Sequence, residues 1–261
     1  ILLINPPDVD ASLFDWATAK RGRANNYPAY GLGVLARHLL NHGFEPQILN
    51  LNHELLKVIY GLDHPLDYDR IWQFILKSNV IEFKPDFIGV TCLFSVTDKS
   101  LVNVCKFLRS ITTVPIAIGG VHVTHDVDAI LKETEADMAF LNEAEKAFIN
   151  YLKGEGLYQV IIRSKDGLEK HLDKILPTAD ELNVIPPFEM MDVENHSLFG
   201  TLGSWYGFRY KDTRIGTALS NRGCRAHCSF CNVRSFNGVG VRQRSIESVL
   251  DELQLLKDRG V

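Results

Sequence analysis

Three cysteines crowd into one stretch of this chain, N-R-G-C-R-A-H-C-S-F-C-N from Asn221 to Asn232, with the spacing C-x-x-x-C-x-x-C across Cys224, Cys228 and Cys231. Iron-sulfur clusters are held by cysteine thiolates, and three thiolates from one short loop bind three corners of a 4Fe-4S cube and leave the fourth iron open. An open metal corner is a reaction site. Zinc, by contrast, takes four ligands in a tetrahedron, and His227 is the one further donor close in sequence. Packing gives no reason to place three inert thiols within a loop of Gly, Asn and Arg. The other two cysteines read differently. Cys92 ends an apolar strand-like run and Cys105 falls on the apolar face of a helix-like one, so both are expected in the core.

Such a loop needs a scaffold, and the preceding sequence alternates strands with helices. The apolar run Ile1 to Ile4 is stopped by Asn5, Pro6 and Pro7, as at the end of a buried strand. Glu45 to Leu51, Asp86 to Cys92, Val114 to Ile118 and Asp137 to Leu141 are the further strands. Apolar residues at helical spacing predict a helix from Tyr30 to His42 and two between His53 and Phe83, around a break at Gly61 to Pro65. They also predict one from Leu101 to Ile111 with Thr97 as its cap, and one from Thr124 to Thr134. Asn142 with Glu145 makes a capping-box-like start for the next. Alternation of this kind implies parallel strands joined by right-handed crossovers, so residues 1–155 read as a doubly wound α/β domain.

Residues 156–200 read as a hairpin followed by a linker. Tyr158, Val160 and Ile162 alternate before the turn-forming Lys165, Asp166 and Gly167, and the stretch from Leu176 to Pro187 predicts an extended segment along the surface. Residues 201–261 open a further unit. Arg214 to Ser220 is a predicted strand feeding the cysteine loop, and Ser245 caps a helix that Gly260 stops.

Open α/β sheets bind ligands beyond the carboxyl ends of their strands. Those ends carry Asn5, Pro6 and Pro7; Thr91, Cys92, Leu93, Phe94 and Ser95; Gly119, Gly120, Val121 and His122; and Asn142, Glu143, Ala144 and Glu145. The glycine pair allows close approach and presents N–H groups beside a helix start, a setting suited to phosphate. With the cysteine loop, these residues make the sequence resemble the cobalamin-dependent radical S-adenosylmethionine family. The resemblance implies a Rossmann-like cobalamin-binding domain in 1–155, followed in 201–261 by the first β/α unit of a radical S-adenosylmethionine partial barrel.

The same resemblance implies site roles. Thr91, Leu93, Gly119 and Gly120 match the elements that cradle the nucleotide tail, while Asn5, Pro6, Pro7, Phe94, Ser95, His122, Asn142 and Glu143 stand at cobalamin-side positions. Phe230 matches the aromatic beside the adenosyl group, and Cys224, Cys228 and Cys231 match the 4Fe-4S ligands. The implied cofactors are the cluster, S-adenosylmethionine and cobalamin; the implied partners are an external electron donor such as flavodoxin or ferredoxin and a small-molecule substrate. The family's shared step is cleavage of S-adenosylmethionine to a 5′-deoxyadenosyl radical, and the implied outcome is methylation of an unactivated carbon. Rearrangement or cyclisation is the other outcome in that group, and a non-catalytic cobalamin-binding module with a structural metal is a third reading. Two departures matter. No D-x-H-x-x-G follows the first strand, so cobalamin is expected without a histidine beneath the cobalt, and N-E-A-E stands where G-E-G-E is common.

Composition sets the outer bounds. The 261 residues are 46% hydrophobic and 23% charged, enough for a large core, and the net charge of -4 supplies no basic field for nucleic acid or an anionic membrane. No apolar run reaches membrane-spanning length, and the chain opens at Ile1 inside a strand, as a segment of a longer protein would. Five cysteines, three of them on one loop, fit a reducing compartment, and the cytoplasm is expected. Lys20, Arg21 and Arg23 read as a solvated charge run, and His125, His196 and His227 as surface or capping residues. Arg242, Gln243 and Arg244 precede the last helix on the cofactor side.

Overall fold

Short apolar runs separated by amphipathic helices build the expected parallel sheet. A computed structural model of the chain describes residues 1–202 and 214–261. In order it shows β1 (Leu2–Asn5), α1 (Trp16–Lys20), α2 (Tyr30–Asn41), β2 (Gln47–Asn50), α3 (Leu51–Gly61), α4 (Tyr68–Phe83), β3 (Ile88–Thr91) and α5 (Asp98–Ile111). There follow β4 (Ile116–Gly119), α6 (Val121–His125), α7 (Val127–Glu133), β5 (Met138–Phe140) and α8 (Glu145–Lys153). Strands β1 to β5 are parallel, in the order β2-β1-β3-β4-β5. Alternate side chains leave opposite faces of a strand, and β1 shows it. Leu2 and Ile4 enter one core with α3, α4 and α5, whereas Leu3 enters a second core with α2 and α8.

The hairpin β6 (Val160–Ser164) and β7 (Gly167–His171) joins this sheet. It pairs antiparallel to β5 and extends the sheet to seven strands among the described residues. The segment expected as a surface linker is instead packed. Leu182, Pro186 and Pro187 are buried, as are Phe188, Met191 and Val193 just beyond the segment, and Met191 and Pro186 press so closely on α2 at Gly33 that a side chain there would collide with them. Its prolines give it an extended backbone, but its apolar residues complete the second core.

Three further expectations are corrected. Arg214 to Ser220 forms no strand. The strand is β8 (Asn221–Cys224), and it pairs antiparallel with β9 (Gly240–Gln243) across α10 (Val233–Asn237). The predicted helix from Thr124 to Thr134 breaks at Asp126. The caps also differ: Thr97 precedes α5 but its hydroxyl donates to the Phe94 carbonyl at 2.7 Å, and α8 starts after Ala144 with no side-chain cap. Ser245 does cap the last helix, α11 (Ile246–Asp258), following the short α9 (His196–Phe199); its hydroxyl accepts from Ser248 N–H at 3.1 Å. Residues 203–213 of the expected third segment lie outside the described ones. Among the described residues no helix is long and apolar enough to cross a membrane.

Candidate functional site

Parallel strands end on one edge, and here that edge is covered by the hairpin that carries the cysteines. Between them lies a cavity of about 600 Å³. Asn5, Pro6, Thr91, Leu93, Phe94, Gly119, Gly120, Asn142 and Glu143 all line it, from the loops after β1, β3, β4 and β5. Asn221, Arg222, Gly223, Val233, Phe236 and Asn237 line it from the hairpin side. No histidine lines the cavity among the described residues.

Four sequence-predicted residues sit elsewhere. Pro7 is buried outside the lining. His122 turns to Ser95, 3.4 Å from its Nδ1, and to Asp98, 3.2 Å from its Nε2, so Ser95 and His122 form a pair of their own. Phe230 is 88% exposed.

The hairpin is tied to the sheet by buried charge. Glu143, 3% exposed, accepts from Arg222 Nη1 at 2.9 Å, from Asn237 Nδ2 at 2.7 Å and from both terminal nitrogens of Arg242. Arg222 also reaches Glu145 at 2.6 Å. Burial pushes the Glu145 carboxyl up, but the Arg222 guanidinium outweighs it and holds the group below the usual carboxylate range. Asn142, which has left-handed φ of 58°, donates from its side-chain amide to the Ser235 carbonyl at 2.9 Å. Loop residues expected at a cofactor thus also dock the cysteine hairpin. A second tie is the pair of Arg244 with the fully buried Glu252, to which the Tyr30 hydroxyl donates at 2.9 Å. Burial first, and then Glu252, push the Tyr30 hydroxyl up to about 12.

The cysteine loop follows from β8. Gly223 has φ of 89° and runs so close to the Gly240 carbonyl that a Cβ would clash, which lets the two hairpin strands meet just before Cys224. Cys231 N–H donates to the Cys228 carbonyl at 3.2 Å, closing a turn between the second and third thiols. All three thiols are free, with Cys228 and Cys231 exposed and Cys224 half-buried. They are not drawn round a single ion: among the described residues, the one trio of ligand atoms within 4.8 Å of one another is that of His53, Glu54 and Asp192. Wider spacing suits a cube, where each thiolate takes a different iron.

Gly120 is shaped by the protein's own backbone. Its φ is 111°, and a Cβ there would run into the Cys92 carbonyl and approach Thr91 Oγ1 at 3.0 Å, so only glycine lets the β4 loop lie against the β3 loop. Cys92 and Cys105 are buried, as expected.

A polar cluster at the carboxyl end of β2, beside Asn5 of β1, is not legible in sequence. His196, expected at the surface, is 0% exposed; its ring stacks on that of His53 with centroids 3.9 Å apart, and Asn50 Nδ2 lies 3.1 Å from its Nε2. His53 pairs with Asp192 at 2.9 Å and Asn26 at 2.9 Å. Lys57 reaches both Asp192 and Glu54 at 3.1 Å, so an ammonium already supplies the positive charge among these acids. Burial, and secondarily the neighbouring His53, lower His196 to about 3.

This arrangement agrees with comparisons to known proteins. Residues 21–152 match the family model described as the B12 binding domain. The chain is 28% identical to the cytidylyl-2-hydroxyethylphosphonate methyltransferase of Streptomyces wedmorensis, over 99% of this chain and 52% of that one. It is 25% identical to an uncharacterized methyltransferase of Pyrococcus horikoshii, over 98% of this chain and 50% of the relative. The chain therefore spans about half the length of the curated relatives it matches. Among solved structures, the radical S-adenosylmethionine methyltransferase TsrM of Kitasatospora setae, with cobalamin and a 4Fe-4S cluster bound, aligns with a TM-score of 0.66 at 20% identity, over 100% of this chain and 46% of that one, a likeness of fold. With its parallel sheet, its glycine-lined strand-end cavity and a matching family model over half its length, the chain belongs to the B12-binding domain family.

Proposed function

We propose that this chain is part of a cobalamin-dependent radical S-adenosylmethionine enzyme that methylates an unactivated carbon of a small molecule. The observation that carries the reading is the shared cavity: one wall comes from the strand ends of the B12-binding domain and the other from the hairpin that leads into Cys224. Similarity to proteins named as methyltransferases along nearly the whole chain favours methyl transfer over rearrangement.

The residues present fit the groups this reading requires. Three free thiols on one loop are a donor set for a cluster with one open iron. The cavity is mainly apolar, with Gly119 and Gly120 in its lining and, among the described residues, no histidine. Cys224, Cys228 and Cys231 would hold the cluster, which would supply an electron to S-adenosylmethionine, and a cobalamin in the cavity would supply the methyl group. The chain's own contribution is position and exclusion. Arg222 and Arg242, through Glu143, clamp the hairpin over the sheet edge, so both walls of the cavity keep one geometry. Leu93, Phe94 and Tyr27 form an apolar wall; Tyr27 and Phe94 have ring centroids 6.3 Å apart. Such a wall excludes water from a reactive intermediate.

Anaerobic reconstitution with iron and sulfide tests the reading. The expected result is one 4Fe-4S cluster and one bound cobalamin per chain; stoichiometric zinc without labile sulfide would overturn the cluster, and no corrinoid binding would overturn the cavity's role.

A further inference from the structure

We infer that Asp8 recognises the cavity's ligand through a hydrogen bond to a primary amide, the group that fringes a corrin ring, rather than to the phosphodiester of its tail. The inference rests on the proposed corrinoid reading of the cavity and names a contact within it.

Asp8 follows the two prolines that end β1 and lines the cavity. Its backbone is pinned, since its N–H donates to Asn52 Oδ1 at 3.0 Å, and Asn52 is itself held by the Asn25 carbonyl at 2.9 Å. Among the described residues, however, its carboxyl has no hydrogen-bond or ion-pair partner. Tyr68, the neighbour that would serve, is engaged: its hydroxyl donates to the Val9 carbonyl at 2.6 Å. Burial alone, with no charged group contributing, pushes the Asp8 carboxyl up to about 7. A half-buried carboxyl on a pinned backbone, with no protein partner and lining a mainly apolar cavity, takes its partner from the ligand.

The chemistry of that partner follows. A phosphodiester is excluded, because an anion gains nothing beside a carboxyl with no cation at hand. A primary amide matches on both sides: its carbonyl accepts from the protonated carboxyl while its N–H donates to the other carboxyl oxygen.

The test is an absorbance titration of the wild type, Asp8→Leu and Asp8→Asn with cobalamin and with cobinamide, which keeps the ring amides and lacks the nucleotide tail. Asp8→Leu is expected to weaken both ligands about tenfold, the loss of one hydrogen bond, and Asp8→Asn to retain most of the affinity because it keeps a donor and an acceptor. Thermal melts accompany the titration: replacing a half-buried carboxyl that has no protein partner is expected to leave Asp8→Leu at least as stable as the wild type, so weaker binding is not a folding defect. Unchanged affinity of Asp8→Leu for both ligands, or a loss confined to cobalamin, overturns the inference while leaving the corrinoid reading intact. A wild type that binds neither ligand overturns both.

Discussion

Arg222 Nη1 donates to Glu143 Oε2 at 2.9 Å, joining the strand that enters the cysteine loop to the loop after β5. The two side chains are 15% and 2% exposed, and Glu145 shares the same guanidinium. The geometry of one half of the cavity is thereby made conditional on the other.

Removing one partner of this cluster leaves uncompensated buried charge. Arg222→Met is expected to cost about 3–5 kcal/mol in urea unfolding, the usual cost of breaking a buried pair. The double variant Arg222→Met/Glu145→Gln should recover part of that loss, because Glu145, whose one ion-pair partner among the described residues is Arg222, is then no longer a stranded charge. Equal stability of the single variant and the wild type would show that the clamp contributes nothing.

The five cysteines divide into two classes. Alanine at Cys224, Cys228 or Cys231 should abolish the intact cluster while leaving the melting temperature of the apoprotein nearly unchanged, since these thiols are exposed or half-buried. Alanine at Cys92 or Cys105 should do the reverse: cluster content unchanged, and about 1–2 kcal/mol lost from packing. Burial pushes the Cys92 thiol up to about 11 and Cys105 to about 12, so both should also resist alkylation in the folded protein.

With no histidine lining the cavity among the described residues, bound cob(II)alamin should show an electron paramagnetic resonance spectrum without nitrogen superhyperfine splitting. Nitrogen splitting that disappears on one histidine substitution would contradict this. Gly120→Ala should weaken cobalamin binding and lower thermal stability together, because the added Cβ forces the β4 loop away from the Cys92 carbonyl.

The stacked imidazoles predict an acid sensitivity. In the unfolded chain a histidine titrates near ~6.5, whereas burial holds His196 near 3 in the fold. Its folded value is lowered, so the stability it permits is fully present above about pH 6.5 and is lost as pH falls towards 3, where the unfolded chain takes up a proton that the fold refuses. Asp8 acts with the opposite sign, because its raised folded value destabilises the fold as pH rises from about 4 to 7. The readout is therefore a difference: between pH 6.5 and 5 the wild type should lose more stability than His196→Asn. Parallel curves for the two proteins would rule out His196 as the source.

What the sequence by itself determined is what short stretches encode. The strand–helix alternation, the four loops of one sheet edge and the cysteine spacing are all readable because periodicity and turn chemistry act over a few residues. The caps at Thr97 and Asn142 were misread for a related reason: the same side chains had competing partners, and the better geometry won. Only the tertiary structure decided the rest. Glu143 and Arg222 lie 79 positions apart, and Asn50 and His196 lie 146 apart, separations at which no local pattern marks a partner. The stretch from Leu176 to Pro187 looks like a linker because prolines set its backbone, yet its burial is settled by the apolar surface that the sheet leaves open to be covered. Asp8 shows the limit most plainly: an acidic residue after two prolines reads as solvated loop, and its place in a cavity without a partner exists only once four strand ends and a hairpin have closed around it.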